Sequence, residues 1–137
     1  MRKDSRLSRV LHVLVHLESY GKPATSEVLA KMLNTNPVVV RRTMALLKAK
    51  GYVTSSKGHN GGWSLATPLS DITLFDIHKA LGESSVFAIG LTDEHNNCPI
   101  EMAVNEAIND VLTEAESLLL QRFKTITLAQ LAKGFGV

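Results

Sequence analysis

Three glycines fall within five residues in the stretch Lys57-Gly58-His59-Asn60-Gly61-Gly62-Trp63, and this run constrains the fold more than any other part of the chain. Glycine adopts positive φ without penalty and lets a backbone approach another chain closely. The run separates two short stretches of strand character, 52–55 and 63–66, so it specifies a β-hairpin with an open, basic tip. Upstream lie two short helical segments joined by a tight turn. A hairpin that follows a helix-turn-helix is a winged helix.

The helical segments carry clear start and stop signals. Residues 5–20 place Leu7, Val10, Leu11, Leu14 and Leu17 at helical spacing, with Gly21 and then Pro23 ending the run. Thr25 or Ser26 caps a second helix over 27–33, and Asn34-Thr35 forms the turn. Asn36 before Pro37 is an N-cap followed by a first-turn proline, so a third helix runs over 36–50 to Gly51. Thr73 and Asp76 have the spacing of a capping box and open a helix reaching about Leu81. The longest helical stretch spans 99–123, and Thr127 with Gln130 forms a second capping box for a short terminal helix with room to fold back. The expected fold is mainly α with a small β-hairpin. A winged head over 1–82 and a connecting segment over 83–98 lead to a long dimerisation helix and a short terminal helix over 99–137. The first 82 residues read as a complete small core, and the apolar cluster Val86, Phe87, Ile89 and Leu91 reads as further core packing, with the lining of a small-molecule pocket as its alternative.

Charge separates along the chain. Residues 1–68 carry eleven Lys or Arg against three acids, and residues 69–137 carry four against ten. A polyanion is drawn to the first part and repelled by the second. Double-stranded DNA is therefore the partner expected for the head. In a helix-turn-helix the N-terminal turn of the second helix enters the major groove. That placement brings Asn36, Pro37, Val38, Arg41 and Arg42 to base edges, where arginine grips guanine and valine packs on a thymine methyl. Thr25 and Ser26 lie at a helix N-terminus suited to phosphate. Lys57 and His59 on the wing reach a neighbouring groove edge.

Val104, Ile108, Val111, Ala115 and Leu118 recur at spacings of four and three along the long helix. Such a seam packs along another helix. Since two-fold dimers dominate soluble oligomers, a second copy of this helix is the expected partner.

Several stretches together carry a resemblance. They are Ser8-Arg9-Val10-Leu11, Glu27-Val28-Leu29-Ala30, Leu47-Lys48-Ala49-Lys50-Gly51-Tyr52-Val53, Gly58 with Gly61-Gly62-Trp63 and Leu65-Ala66, Ile72-Thr73-Leu74 with Asp76-Ile77, and Ile126-Thr127-Leu128-Ala129. The chain resembles the Rrf2 family of bacterial winged-helix regulators, which includes the IscR, NsrR and CymR regulators. The resemblance implies a homodimeric transcription factor, usually a repressor, with a long crossing helix from each subunit and operators of dyad symmetry.

Several members of that family hold an iron–sulfur cluster on three cysteines before the long helix. This chain departs there, because Cys98 is its one cysteine, and Glu101 stands where a helix histidine can serve as ligand. No cluster or other cofactor is expected from a single thiolate. Cys98 is a candidate redox-sensing thiol, since a helix N-terminus favours the thiolate. An unknown small-molecule or redox effector is the corresponding partner. His12 and His16 stand four apart on the first helix without a third ligand nearby, so no metal site is expected. Nucleophilic triads, phosphate loops and zinc motifs are missing from the sequence, and no enzymatic activity is expected. Two rivals stay open: a winged helix that docks an acidic protein, and a thiol- or metal-responsive sensor built on Cys98 with His12 or His95. No apolar run is long enough to span a membrane, and with one cysteine the setting expected is cytoplasmic.

Overall fold

The computed structural model describes residues 5–82, 86–87, 89–92 and 98–134. Helix α1 (Arg6–Tyr20) buries Val10, Val13, Leu14 and Leu17 and stops at Gly21, whose φ of 72° gives a left-handed cap. Helix α2 (Ser26–Leu33) starts where the Thr25 hydroxyl accepts from the Val28 N–H at 3.2 Å. Asn34, at φ 52°, turns the chain into α3 (Pro37–Ala49). There the Asn36 side chain accepts from the Val38 N–H at 2.8 Å and Pro37 occupies the first turn, as the sequence predicts. Val40, Met44 and Leu47, at helical spacing, seat α3 on the core and leave its opposite face in solvent.

The hairpin pairs β1 (Val53–Ser56) with β2 (Gly62–Leu65) antiparallel, from Val53↔Leu65 to Ser56↔Gly62. Each strand sits one residue from its predicted span. Tyr52 instead closes the end of α3, its N–H donating to the Leu47 carbonyl at 3.0 Å. A 3₁₀ turn (Leu69–Asp71) leads to α4 (Leu74–Ala80), opened by the Thr73–Asp76 capping box. Helix α5 (Pro99–Thr125) has 27 residues and is about 40 Å long at 1.5 Å per residue. Helix α6 (Leu128–Lys133) begins at the second capping box, with the Thr127 N–H donating to Gln130 at 2.9 Å.

Two expectations are corrected. Residues 1–82 do not close the core alone, because Leu128 and Ala132 of α6 are buried within it beside Leu14, Ile72 and Ile77. The Leu74 N–H donates to the Ile126 carbonyl at 3.0 Å and the Leu128 N–H to the Ile72 carbonyl at 2.9 Å, an antiparallel bridge that ties the C-terminal segment to the start of α4. Nor is the 86–91 cluster core: Ile89 and Leu91 are exposed, and Val86 and Phe87 only half-buried. The Thr92 end of the segment is held on the surface of α5 instead, where the Asn105 amide donates to the Thr92 carbonyl at 3.2 Å.

Helix α5 has no fully buried residue. One side lies on α4, where the Phe123 ring meets the His78 ring edge-on and the Lys124 ammonium sits 4.6 Å over the Phe75 ring. Another side is apolar and bare, with Ile100 76% and Leu118 70% exposed and Val104 and Val111 between them.

Candidate nucleic-acid interface

Three elements converge on one face of the head: the outer side of α3, the start of α2 and the wing. Along α3 the outward residues follow from the inward ones. With Val40, Met44 and Leu47 buried, Val38, Arg41, Arg42 and Lys48 turn to solvent. Val38 is 53% exposed, which the core does not explain, so its apolar surface is available to a partner. Asn36 is exposed and already committed through its side chain to capping, and Pro37 is half-buried beside it.

The wing is held at a fixed place by backbone and indole. Its β2 strand pairs on one side with β1 and on the other with Ala24: Trp63 N–H to Ala24 carbonyl at 2.8 Å and the reverse bond at 3.0 Å. Gly62 permits that approach, since a Cβ there would sit 2.7 Å from the Ala24 backbone. The Trp63 indole N–H then donates to the Ser26 hydroxyl at 3.0 Å. Lys48 reaches from α3 to the Ser55 hydroxyl at 2.8 Å and fastens β1 to that helix.

These contacts correct the reading of Ser26. Expected at a phosphate, its side chain is buried and faces the indole, so it anchors the wing. Thr25 stays exposed at the N-cap of α2. Between that cap and the wing tip runs an open groove of 450 Å³ whose walls include Lys22, Thr25, His59 and Gly61. Lys57 and His59 are exposed at the tip. Positive charge and helix-end N–H groups therefore line the ground between α2 and the wing.

One acid lies within this basic face. The Glu27 carboxylate accepts from the Arg41 guanidinium at 2.7 Å, Nη2 to Oε1, bridging α2 and α3. Its own backbone N–H at the helix start, and then Arg41 and Thr25, hold the Glu27 carboxyl below the usual carboxylate range. Sequence reasoning missed Glu27 because its partner is fourteen residues away on another helix, and no local pattern pairs the two side chains.

Cys98 is a free, half-buried thiol at the N-cap of α5, and its carbonyl accepts from the Met102 N–H at 3.1 Å. His12 and His16 lie together on α1, their Nε2 atoms 2.9 Å apart. Among the described residues no three His, Cys, Asp or Glu side chains converge as a metal site, whereas Asp93, Glu94 and His95 lie outside the described residues. The predicted seam residues Val104, Val111 and Leu118 are exposed along α5, and Ile108 and Ala115 are half-buried. No helix among the described residues is long and apolar enough to cross a membrane.

Comparison with known proteins agrees with this architecture. Residues 4–134 match the Rrf2 family model, described as an iron-dependent transcriptional regulator. An HTH-type transcriptional regulator designated YwnA, from Bacillus subtilis, is 32% identical over 114 residues, covering 82% of this chain and 84% of that relative. A crystal structure described as a transcriptional regulator from Lactobacillus plantarum superposes with a TM-score of 0.80 at 25% identity, covering 96% of this chain and 90% of that one. The T. potens IscR structure shares the fold with a TM-score of 0.72 at 18% identity, over 98% of this chain and 88% of that one.

Proposed function

Since the chain belongs to the Rrf2 family of winged-helix, DNA-binding transcriptional regulators, we propose that it acts as a homodimeric repressor that recognises a dyad-symmetric operator. The observation that carries this reading is the exposed outer face of α3, with Val38, Arg41 and Arg42 in solvent, standing beside a wing pinned to α2. In this reading the first turns of α3 enter the major groove, and Lys57 and His59 reach the adjacent minor groove. Thr25 and Lys22 flank the phosphate backbone between them. The acidic second half of the chain faces away from DNA. The bare apolar seam of α5 meets its copy in a second subunit, and two heads then read two half-sites.

No iron–sulfur cluster enters this function. Such clusters take several thiolates, and the chain offers Cys98 alone, so the residues present do not fit the group that the family description implies. An effector, whether a small molecule or an oxidant, controls the regulator only by binding one pose of the two heads better than the other. The protein works where the chromosome is, in the cytoplasm, and acts by binding DNA without chemical conversion.

Selection of bound duplexes from a random-sequence pool, with reduced protein at near-physiological salt, tests the proposal. Enrichment of a motif with two-fold symmetry is the expected result. Failure of a folded protein to enrich any motif, with no salt-dependent affinity for duplex DNA, overturns it in favour of a protein-docking role.

A further inference from the structure

Glu27 is one of three acids in the first 68 residues, and it stands on the face that the proposed function turns toward a polyanion. Its pairing with Arg41 adds little to folding, because the two side chains are 61% and 53% exposed. A first-turn acid also favours the helix macrodipole, but any acid in that turn does so without engaging α3. What distinguishes Glu27 is the bond itself. One guanidinium nitrogen of Arg41, Nη2, is occupied at 2.7 Å, while a guanidinium carries five N–H donors in a planar fork. The remaining donors suffice for the O6 and N7 acceptors of a guanine.

We propose that Glu27 is a specificity-determining positioning residue, which holds Arg41 by one edge of its guanidinium so that the free edge reads a guanine. The inference rests on the DNA-binding reading above. In a specific complex the pair stays intact, and the carboxylate is neutralised as it approaches the DNA. In a non-specific complex Arg41 swings to the nearest phosphate, which strips Glu27 of its partner and leaves its charge facing the same phosphates. Glu27 therefore penalises the wrong complex more than the right one, which is the repulsive half of specificity.

The test compares the wild-type chain with Glu27→Gln, Arg41→Ala and the double variant on the selected operator and on a scrambled duplex of equal composition, across a salt series. Glutamine keeps the shape and a hydrogen-bond acceptor but removes the charge, and thermal melting checks that the fold is retained. Glu27→Gln is expected to tighten binding to scrambled DNA about tenfold and to lower discrimination by about the same factor, with the non-specific salt slope steeper by about one phosphate contact. In the Arg41→Ala background the same change leaves discrimination where it was. A discriminating wild type whose specificity ratio Glu27→Gln does not move overturns this proposal alone, as does an equal shift of that ratio without Arg41. A folded wild type that binds both duplexes alike overturns the DNA-reading function and this proposal with it.

Discussion

Gly62 holds the wing in place by lacking a side chain. Its φ of +146° and the 2.7 Å clearance between its absent Cβ and the Ala24 backbone leave no room for alanine. Gly62→Ala is expected to force β2 away from Ala24, at a cost of about 1–3 kcal/mol as for other strained backbone positions, measured as a lower urea midpoint. Arg41 acts at the same scale but on binding. Arg41→Ala should cost about 1–3 kcal/mol of operator affinity and relax base preference at one position, whereas Lys57→Ala should weaken binding to every sequence and flatten its salt dependence. The two outcomes separate on titrations against operator and scrambled duplexes. His16 supplies a pH dependence whose sign is fixed. Burial, and next the neighbouring His12, hold its pKa below the ordinary 6.5. The unfolded chain therefore takes up that proton first as pH falls. The stability contribution is present above 6.5 and is lost as pH falls through it toward the lowered folded value. The effect is small because the ring is only half-buried. Urea midpoints taken from about pH 8 to about pH 5 should fall for the wild type and fall less for His16→Gln.

At the scale of elements, what was legible in the sequence is what local chemistry decides. The Asn36-Pro37 start of α3 and the Thr73–Asp76 and Thr127–Gln130 boxes each close within a few residues, and spacing marked Val10, Leu14 and Leu17 on the buried face of α1 but missed Val13. The glycine run announced the wing. The pairings between distant segments were not legible: Trp63 with Ala24 and Ser26, Arg41 with Glu27, and α6 with the 3₁₀ turn and α1. Such contacts depend on where helices finally pack, and neither partner carries a local signature of the other. For the candidate site, the charged and exposed members of α3 and the wing followed from helical period and composition, while the burial of Ser26 did not. The docking of α6 has a measurable consequence. Leu128 is fully buried among residues of the head, so Leu128→Ala should cost about 2–5 kcal/mol. A chain in which α6 were an appendage would melt unchanged after that substitution, and a denaturant titration separates the two cases.

At the scale of the whole molecule, a basic head carries a bare apolar seam on an acidic helix. Ile100, Val104, Val111 and Leu118 are all exposed and recur at spacings of four and seven residues, so they share one face of α5. An apolar stripe of this kind is ordinarily covered, and in the proposed dimer its cover is the same stripe on a second chain. Substituting both Val111 and Leu118 with glutamate places like charges opposite one another near a two-fold axis, while the core of the head is left alone because α5 contributes no fully buried residue to it. The double variant is expected to sediment as a 14.9 kDa monomer, with the melting profile of its head preserved. Loss of the dimer then makes binding to two half-sites a pair of independent events. The second head no longer binds at the high effective concentration set by the first, so operator affinity should fall by about 10²–10⁴-fold, with affinity for an isolated half-site nearly unchanged. A variant that still sediments at twice the monomer mass would move the dimer interface off this seam. One that is monomeric yet binds the full operator as tightly as the wild type would show that the two heads never read it together.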